Sequence, residues 1–443
     1  MKETGDNGKN TWRIFRKNKP ALVSFYFLLF FVFIALSSDF IANKQPIYAR
    51  YRDTNFYPIF QTFANKNRVD STINPVTKKF EKLQFDITDW RELPLQNVVW
   101  VPIPYSASEK DKYNMGYISP SAPQFYKNAD GQIVPAPYIL KHHLGTNNIG
   151  EDVAAGLIHG TSIALRVGLI SMSIAGFLGI LFGAFAGYFG DNKIRISRLS
   201  YILLIPGIFL GYFYGIFIRI QDLKTAFHTG LLQSIGQILI SVFIFSFLIF
   251  ICYIIGRAPL KVSFFRMKVF VPIDIFISRF IEIFDSIPAL LLIITISSLF
   301  VEKSLPLVMA IIGGLMSPKI ARLTRAEFLK IRNLEYIQTA QALGFGDWRI
   351  MLRHILPNAL APVIVYLAFG IAYAIIAESS LSFLGIGVPA DTVTWGSLLS
   401  SARADYTAWW MAVFPGLAIF ITVAIYSLIG EGLREALDPR IKV

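Results

Sequence analysis

Eight stretches of this chain are apolar for about the twenty residues needed to cross ~30 Å of hydrocarbon, and that leaves few architectures open. They lie near residues 20–41, 162–189, 200–218, 233–256, 276–300, 304–323, 359–386 and 408–430. Inside a bilayer every backbone N–H and C=O has to be paired within the segment, so runs of this kind fold as helices. Composition agrees: 54% of residues are hydrophobic and only 16% charged. The fold class expected is an all-α integral membrane protein with about eight transmembrane helices.

Charge gives the orientation. The tail, residues 1–19, carries Lys2, Lys9, Arg13, Arg16, Lys17 and Lys19 against Glu3 and Asp6, so it is placed on the cytoplasmic side. Eight spans then return the C-terminus to the same side. In that count Lys193, Arg195 and Arg198 fall on inner loops, with Arg257, Lys261, Arg266 and Lys268 on the next. The net charge of +13 is therefore read as positive-inside bias, with no nucleic acid implied. The first run, 20–41, also has the basic flank of a signal peptide and small residues from Ala35 to Ser38. It is long and ends in no clean small-x-small site, so it is read as a retained span. Cys252, the only cysteine, sits in an apolar run and offers no disulfide framework.

Between two apolar segments lies a polar stretch, residues 324–357, that is ordered in pattern. Residues 335–344 read as a short helix with Ala340, Leu343 and Gly344 on a small-residue face that a partner's backbone can approach closely. Gly344 suits a left-handed helix stop, and Pro357 the first turn of the helix that follows. The loop has the character of a plug for a socket on another protein.

The run Tyr336-Ile337-Gln338-Thr339-Ala340-Gln341-Ala342-Leu343-Gly344, followed by Ile355-Leu356-Pro357-Asn358-Ala359, resembles the "EAA loop" of ABC-importer membrane subunits. The likeness is closest to the oligopeptide/dipeptide permease family, where the loop runs roughly Tyr-Val-Glu-Ala-Ala-Arg-Ala-Leu-Gly and then Ile-Leu-Pro-Asn-Ala. His143-Leu144-Gly145-Thr146 with Gly150 and Asp152, then Gly187-Tyr188-Phe189-Gly190, resemble the start of the family's permease domain. Glu378 to Gly385, Trp395-Gly396, Phe414-Pro415-Gly416 and Gly432 to Pro439 resemble its end. Motifs in the family's order over about 143–190 and 272–443 are far more specific than one alone.

The resemblance implies a six-helix type I importer core and, within the family, the C-type subunit. It also implies partners: a second homologous permease subunit, cytoplasmic ABC ATPase subunits that use ATP and Mg, and a periplasmic or surface substrate-binding protein, all in a bed of membrane lipid. No cofactor is expected on this chain. The inner membrane is the implied location. Tyr336, Gln338, Thr339, Ala340, Ala342, Leu343 and Gly344 would carry the ATPase contact, with Tyr336 and Leu343 anchoring by burial. Gln338 and Thr339 replace the family's acidic residue and first alanine, so a hydrogen bond from Gln338 is expected in place of charge pairing. Peptide is the cargo implied; nickel and peptide-like antibiotics are carried elsewhere in the family.

Two regions depart from the family pattern. The outer region, 42–160, holds ten prolines and short runs, Val98 to Val101 and Gln132 to Val134, suited to pairing as strands. It reads as a small outer-face loop domain, either touching a substrate-binding partner or simply packed there. Within the membrane domain, 161–443, an insert at about 192–271 adds two apolar segments, Tyr201 to Ile218 and Gln233 to Ile255. Two added spans preserve the orientation of everything downstream, and a peripheral, lipid-facing hairpin is the expected placement.

Gly179, Gly183 and Gly187 recur every fourth residue and smooth one helix face. Packing within the chain is favoured over a subunit seam. Arg279 and Glu282, three apart, are placed to pair. Asp285 precedes a kink expected at Pro288, and Glu378 has no partner nearby in sequence. Lining the pathway and solvation near the interface are both open for Asp285 and Glu378, since a charge at mid-membrane costs about 2.5–3.5 kcal/mol. A proton-coupled secondary transporter would use such acids but leaves the docking loop unexplained. No metal-site spacing surrounds His142, His143 or His159, which read as surface or loop histidines. Gly5 to Asn10 lacks the glycine spacing and the Ser or Thr of a phosphate loop. The chain therefore reads as a translocation subunit and not an enzyme.

Overall fold

Helix satisfies the backbone of the apolar stretches in the computed structural model, which describes residues 4–64, 69–73, 80–85, 88–257, 267–298, 300, 303–389 and 391–438. Lys2, Glu3, Lys261, Arg266 and Pro439 lie outside the described residues. The main helices are α1 (Thr4–Lys17), α2 (Lys19–Leu36), α3 (Val153–Phe189), α4 (Arg198–Tyr212), α5 (Ile220–Thr229) and α6 (Leu231–Ile255). After them come α7 (Ile273–Ser286), α8 (Ala289–Ser298), α9 (Leu305–Arg332), α10 (Glu335–Ala342), α11 (Leu356–Phe383), α12 (Trp395–Ser401) and α13 (Trp410–Leu437). Among the described residues seven helices are long and apolar enough to cross a membrane, or eight if one bent pair counts as a span.

That bent pair stands where one span with a kink at Pro288 is expected, at 276–300. Helices α7 and α8 meet at 89°. Pro288 has no N–H to donate and disfavours helical backbone in the residue before it; Ile287 is accordingly extended, at φ −107° and ψ 132°.

The chain divides into two compact units. One comprises residues 19–167 and 375–429 and contains the outer region. Strand β1 (Tyr48–Tyr51) pairs antiparallel with β2 (Thr54–Phe56) on one side and β5 (Asn97–Val99) on the other. Strands β3 (Val69–Ile73) and β4 (Phe80–Gln84) make a hairpin, as do β6 (Phe125–Lys127) and β7 (Ile133–Pro135). The two runs expected to be strands are strands in part, each with a different partner. Phe56, Phe85 and Trp90 close the small core behind β1 with Ala49 and Tyr51.

Burial overturns one reading here. His142 lies in a loop, as read, but not at the surface: none of it is exposed. It lies between Asp111 and Asp152 and stacks on Tyr105 with centroids 4.0 Å apart. Asp152 also caps α3, its carboxylate accepting from Ala155 N at 2.6 Å. His143 is exposed, as expected.

The other unit comprises residues 1–18, 168–374 and 430–443. Its spine is α3 against α9. A Cβ added at Gly183 would lie 2.5 Å from Ala321 O, and one at Gly187 would lie 2.5 Å from Phe328 Cβ. The smooth face thus lets α3 approach the backbone of α9 within the chain. The insert is a helical hairpin, α4 packed on α6, with α5 between them in sequence. Its ends are joined by β8 (Arg195–Ser197) and β9 (Lys268–Phe270), which pair antiparallel as a neck. Many of its large apolar side chains, including Ile205, Phe209, Leu239 and Phe243, point outward and are exposed.

Candidate functional site

The candidate docking loop is built on the ends of α3 and α9. Ile337 and Ala340, three apart on α10, turn inward and join Tyr188, Phe189, Phe328, Ile331, Ile350, Met351 and Ile355 in one buried cluster. The opposite face, with Tyr336, Gln338, Thr339, Ala342 and Leu343, is exposed. One expectation changes here. Ala340 is only 7% exposed, so the close approach it permits is to its own chain. Tyr336 and Leu343, the side chains expected to anchor a partner by burial against it, are 45% and 69% exposed on this chain.

Helix α10 ends in a Schellman turn. Phe345 N donates to Ala340 O at 3.1 Å and Gly344 N to Gln341 O at 2.9 Å. Gly344 sits at φ +76°, and nothing stands within 4 Å of where its Cβ would be. Only backbone conformation therefore demands glycine there. Partly buried Phe345 packs on the cluster and seats the turn.

Pro357 stands second in α11, although α11 continues a helical run that starts earlier. A helical run begins at Asp347, passes through a π-turn at Ile350–Ile355 and continues into α11. The wider turn accommodates a residue that cannot donate and whose ring crowds the preceding carbonyls. On the exposed face Gln338 Nε2 donates to Asn333 O at 3.3 Å and Thr339 Oγ1 to Glu335 O at 2.9 Å. Asn358 Nδ2 donates to Tyr336 Oη at 3.3 Å.

Asp347, absent from the sequence-derived site, anchors the far end of the loop. Its Oδ1 accepts from Tyr188 Oη at 2.8 Å and from Lys193 Nζ at 2.7 Å. Trp348 meets Phe185 edge-on at 5.7 Å. The aspartate and lysine are 154 residues apart in sequence, so no local spacing reveals the pair.

The acids named from sequence separate. Asp285 pairs with Arg322 of α9, and Asp274 binds Arg325 with Oδ2 2.6 Å from Nη2. Arg279 and Glu282 pair at 2.6 Å on an exposed surface, as their spacing predicts. Glu378 is 1% exposed in the unit that contains the outer region. Ser382 Oγ donates to it at 2.7 Å and Ser379 Oγ at 3.4 Å, and the Thr394 hydroxyl is a third partner. The structure seats Glu378 among hydroxyls and away from solvent, and no cation faces it among the described residues.

The sequence of this chain matches two family models. One, described as the binding-protein-dependent transport system inner membrane component, covers residues 262–443. The other, the N-terminal TM domain of oligopeptide transport permease C, covers residues 7–61. A glutathione transport system permease protein of Pectobacterium atrosepticum is 30% identical over 302 residues, 68% of this chain and 73% of that protein. An inner membrane ABC transporter permease protein, YejE, of Escherichia coli is 26% identical over 434 residues, 97% of this chain and 96% of the relative. A putative peptide transport system permease protein of Brucella suis is 44% identical over 172 residues. That last match spans 38% of this chain and only 57% of the relative's length.

Proposed function

The chain belongs to the family of binding-protein-dependent inner-membrane transport components, and we propose that it is the membrane-spanning subunit of an ATP-driven importer that moves peptides into the cytoplasm. The observation that carries this reading is the built asymmetry of α10. One face is locked into the cluster with Tyr188 and Phe328, while the other presents Tyr336, Gln338, Thr339, Ala342 and Leu343. A short helix anchored on one side only is suited to transmit a push received on the other. Peptide as cargo is supported by relatives named for peptide and glutathione transport.

In this mechanism the chain pairs with a second permease subunit, and a binding protein delivers cargo at the outer face. ATP and Mg act on separate ATPase subunits, and both termini lie in the cytoplasm. Closure of the ATPase pair moves α10, and the buried cluster passes that movement to α3 and α9. The spans then exchange inward-facing and outward-facing arrangements. Gln338 takes part by hydrogen bonding where related loops carry a carboxylate. The chain supplies the path and the lever, and hydrolysis takes place on its partners.

The test is a pull-down of the detergent-solubilised chain, with 336–344 intact and with that segment altered, followed by mass spectrometry and an ATPase assay. Recovery of a second permease and of ATPase subunits only with the intact segment is the expected result. A chain that purifies alone in both forms would sink the proposal.

A further inference from the structure

Lys193 stands where the chain leaves α3 for the inserted hairpin, two residues before β8. Its ammonium lies 2.7 Å from Asp347 Oδ1 and 3.7 Å from the centre of the Tyr188 ring. Tyr188 Oη donates to the same Asp347 oxygen at 2.8 Å. One carboxylate oxygen thus gathers three elements: the last turn of α3, the root of the insert and the start of the helical run that follows the Gly344 turn.

The surroundings make this a fixed point. Arg332 Nη1 donates to Tyr188 O at 3.0 Å, holding the end of α9 to the end of α3. Val271 N donates to Ile194 O at 3.0 Å, and Ile275 N donates to Asp191 Oδ1 at 3.1 Å, so both sides of the neck are tied together. Asp274, just beyond the neck, binds Arg325 of α9. Between α10 and Asp347 the turn is held by its two Schellman hydrogen bonds and by Phe345 on the buried cluster. Leu343 and Gly346 are exposed, and neither Gly344 nor Gly346 has any atom within 4 Å of a built Cβ. The direction of α10 is set by the buried Ile337 and Ala340, by Phe345 at the turn and, beyond it, by what holds Asp347.

We propose that Lys193 is a positioning residue for coupling: by holding Asp347 against Tyr188, the root of the insert sets the angle at which the docking loop is presented. This rests on the reading of that loop as the ATPase contact. The insert, on this view, is joined to the moving part at its root and is more than a lipid-facing appendage. Lys193 is 33% and Asp347 48% exposed, so the pair contributes little to global stability and acts through direction.

The test uses the full chain with its co-purified partners in nanodiscs, comparing Lys193→Ala, Lys193→Arg and the exchange Lys193→Asp with Asp347→Lys. Transport is read on the unlabelled variants, and mobility on separate samples in which a spin label replaces Leu343 in a Cys252→Ser background. Lys193→Ala is expected to raise label mobility and to lower cargo moved per ATP hydrolysed by roughly twofold to fivefold, the range an exposed ion pair spans. Lys193→Arg keeps both near the parent, and the exchange restores most of the loss. A pair that merely supported the fold would lower the melting temperature in proportion and leave the transport ratio alone. Unchanged mobility and an unchanged ratio in Lys193→Ala overturn the proposal. If the parent chain recruits no ATPase, the docking reading fails instead, and label mobility alone decides whether Lys193 holds the loop.

Discussion

His142 Nδ1 lies 2.8 Å from Asp152 Oδ2, inside the outer region and fully shielded from solvent. The opposite ring nitrogen lies 3.0 Å from Asp111 Oδ2. A neutral imidazole has one N–H and cannot donate to both carboxylates, so the arrangement calls for the imidazolium. Burial alone would lower the His142 pKa, but hydrogen bonds and charge from Asp111 and Asp152 outweigh it and raise the value. Burial acts to raise Asp111, and its bonds to His142 and Asn114 bring it below the usual carboxylate range.

A pH profile of stability follows from these directions. The His142 contribution is fully present below the ordinary histidine value of 6.5 and is lost as pH rises through the raised folded value. The Asp111 contribution is present above the ordinary 3.8 and is lost as pH falls through the lowered folded value. The triad therefore stabilises most between about pH 4 and pH 6.5. His142→Gln should flatten the alkaline limb of the melting-temperature profile and cost about 3–5 kcal/mol at pH 6, since it leaves two buried carboxylates without a cation. An alkaline limb of the same slope in this variant would show that His142 is neutral in the folded protein.

At the seam between α3 and α9, Gly183→Val should destabilise by at least about 1–3 kcal/mol, as overpacking does. The clash is with backbone, Ala321 O at 2.5 Å, and so has no side chain to move aside. The check is thermal unfolding in detergent beside Gly314→Ala, where a Cβ meets nothing within 4 Å. Equal melting temperatures for the two variants would show that the helices do not approach so closely.

Gly344 predicts a graded series. Its surroundings are open, so substitution costs only the left-handed conformation, about 1–2 kcal/mol for most residues and less for Asn. Uptake per ATP should fall in the order Asn, Ala, Val, with protein yield nearly constant. Transport by Gly344→Val at the parent's level would count against α10 as a lever.

Glu378→Gln should leave uptake within about twofold of the parent, because its amide keeps one acceptor oxygen for a hydroxyl donor and its NH2 can donate to a neighbouring hydroxyl oxygen. Glu378→Leu should lower stability by about 1–3 kcal/mol, by leaving the hydroxyls of Ser379, Ser382 and Thr394 without their acceptor. Loss of uptake in the Gln variant with an unchanged melting temperature would restore Glu378 to the translocation pathway.

Much of this was legible because the governing physics is local or periodic. Apolar length marked the helices, every-fourth glycines marked the α3 face, and Gly344 marked the end of α10. Pro288 marked a break, although a proline cannot say how sharply two helices diverge. What stayed hidden depends on residues brought together by folding. Lys193 and Asp347 are 154 apart, Asp274 and Arg325 are 51 apart, and His142 and Asp111 are 31 apart. Ala340 was misjudged for a related reason. A small residue tolerates close approach from any side, and only the neighbouring Ile337, buried with it three residues earlier, identifies the side it faces.

The paired strands at the base of the insert have a consequence for how separable that part of the chain is. Antiparallel partners such as Ser197 and Lys268 sit about 5 Å apart, a gap that a tight two-residue turn closes. The whole excursion can thus be exchanged for a turn without moving the points where it begins and ends. Lys193 lies before the first strand and would survive the cut. Loss of hairpin and loss of strut are therefore two different operations on the same gene, and a lineage could gain or shed the first while keeping the second.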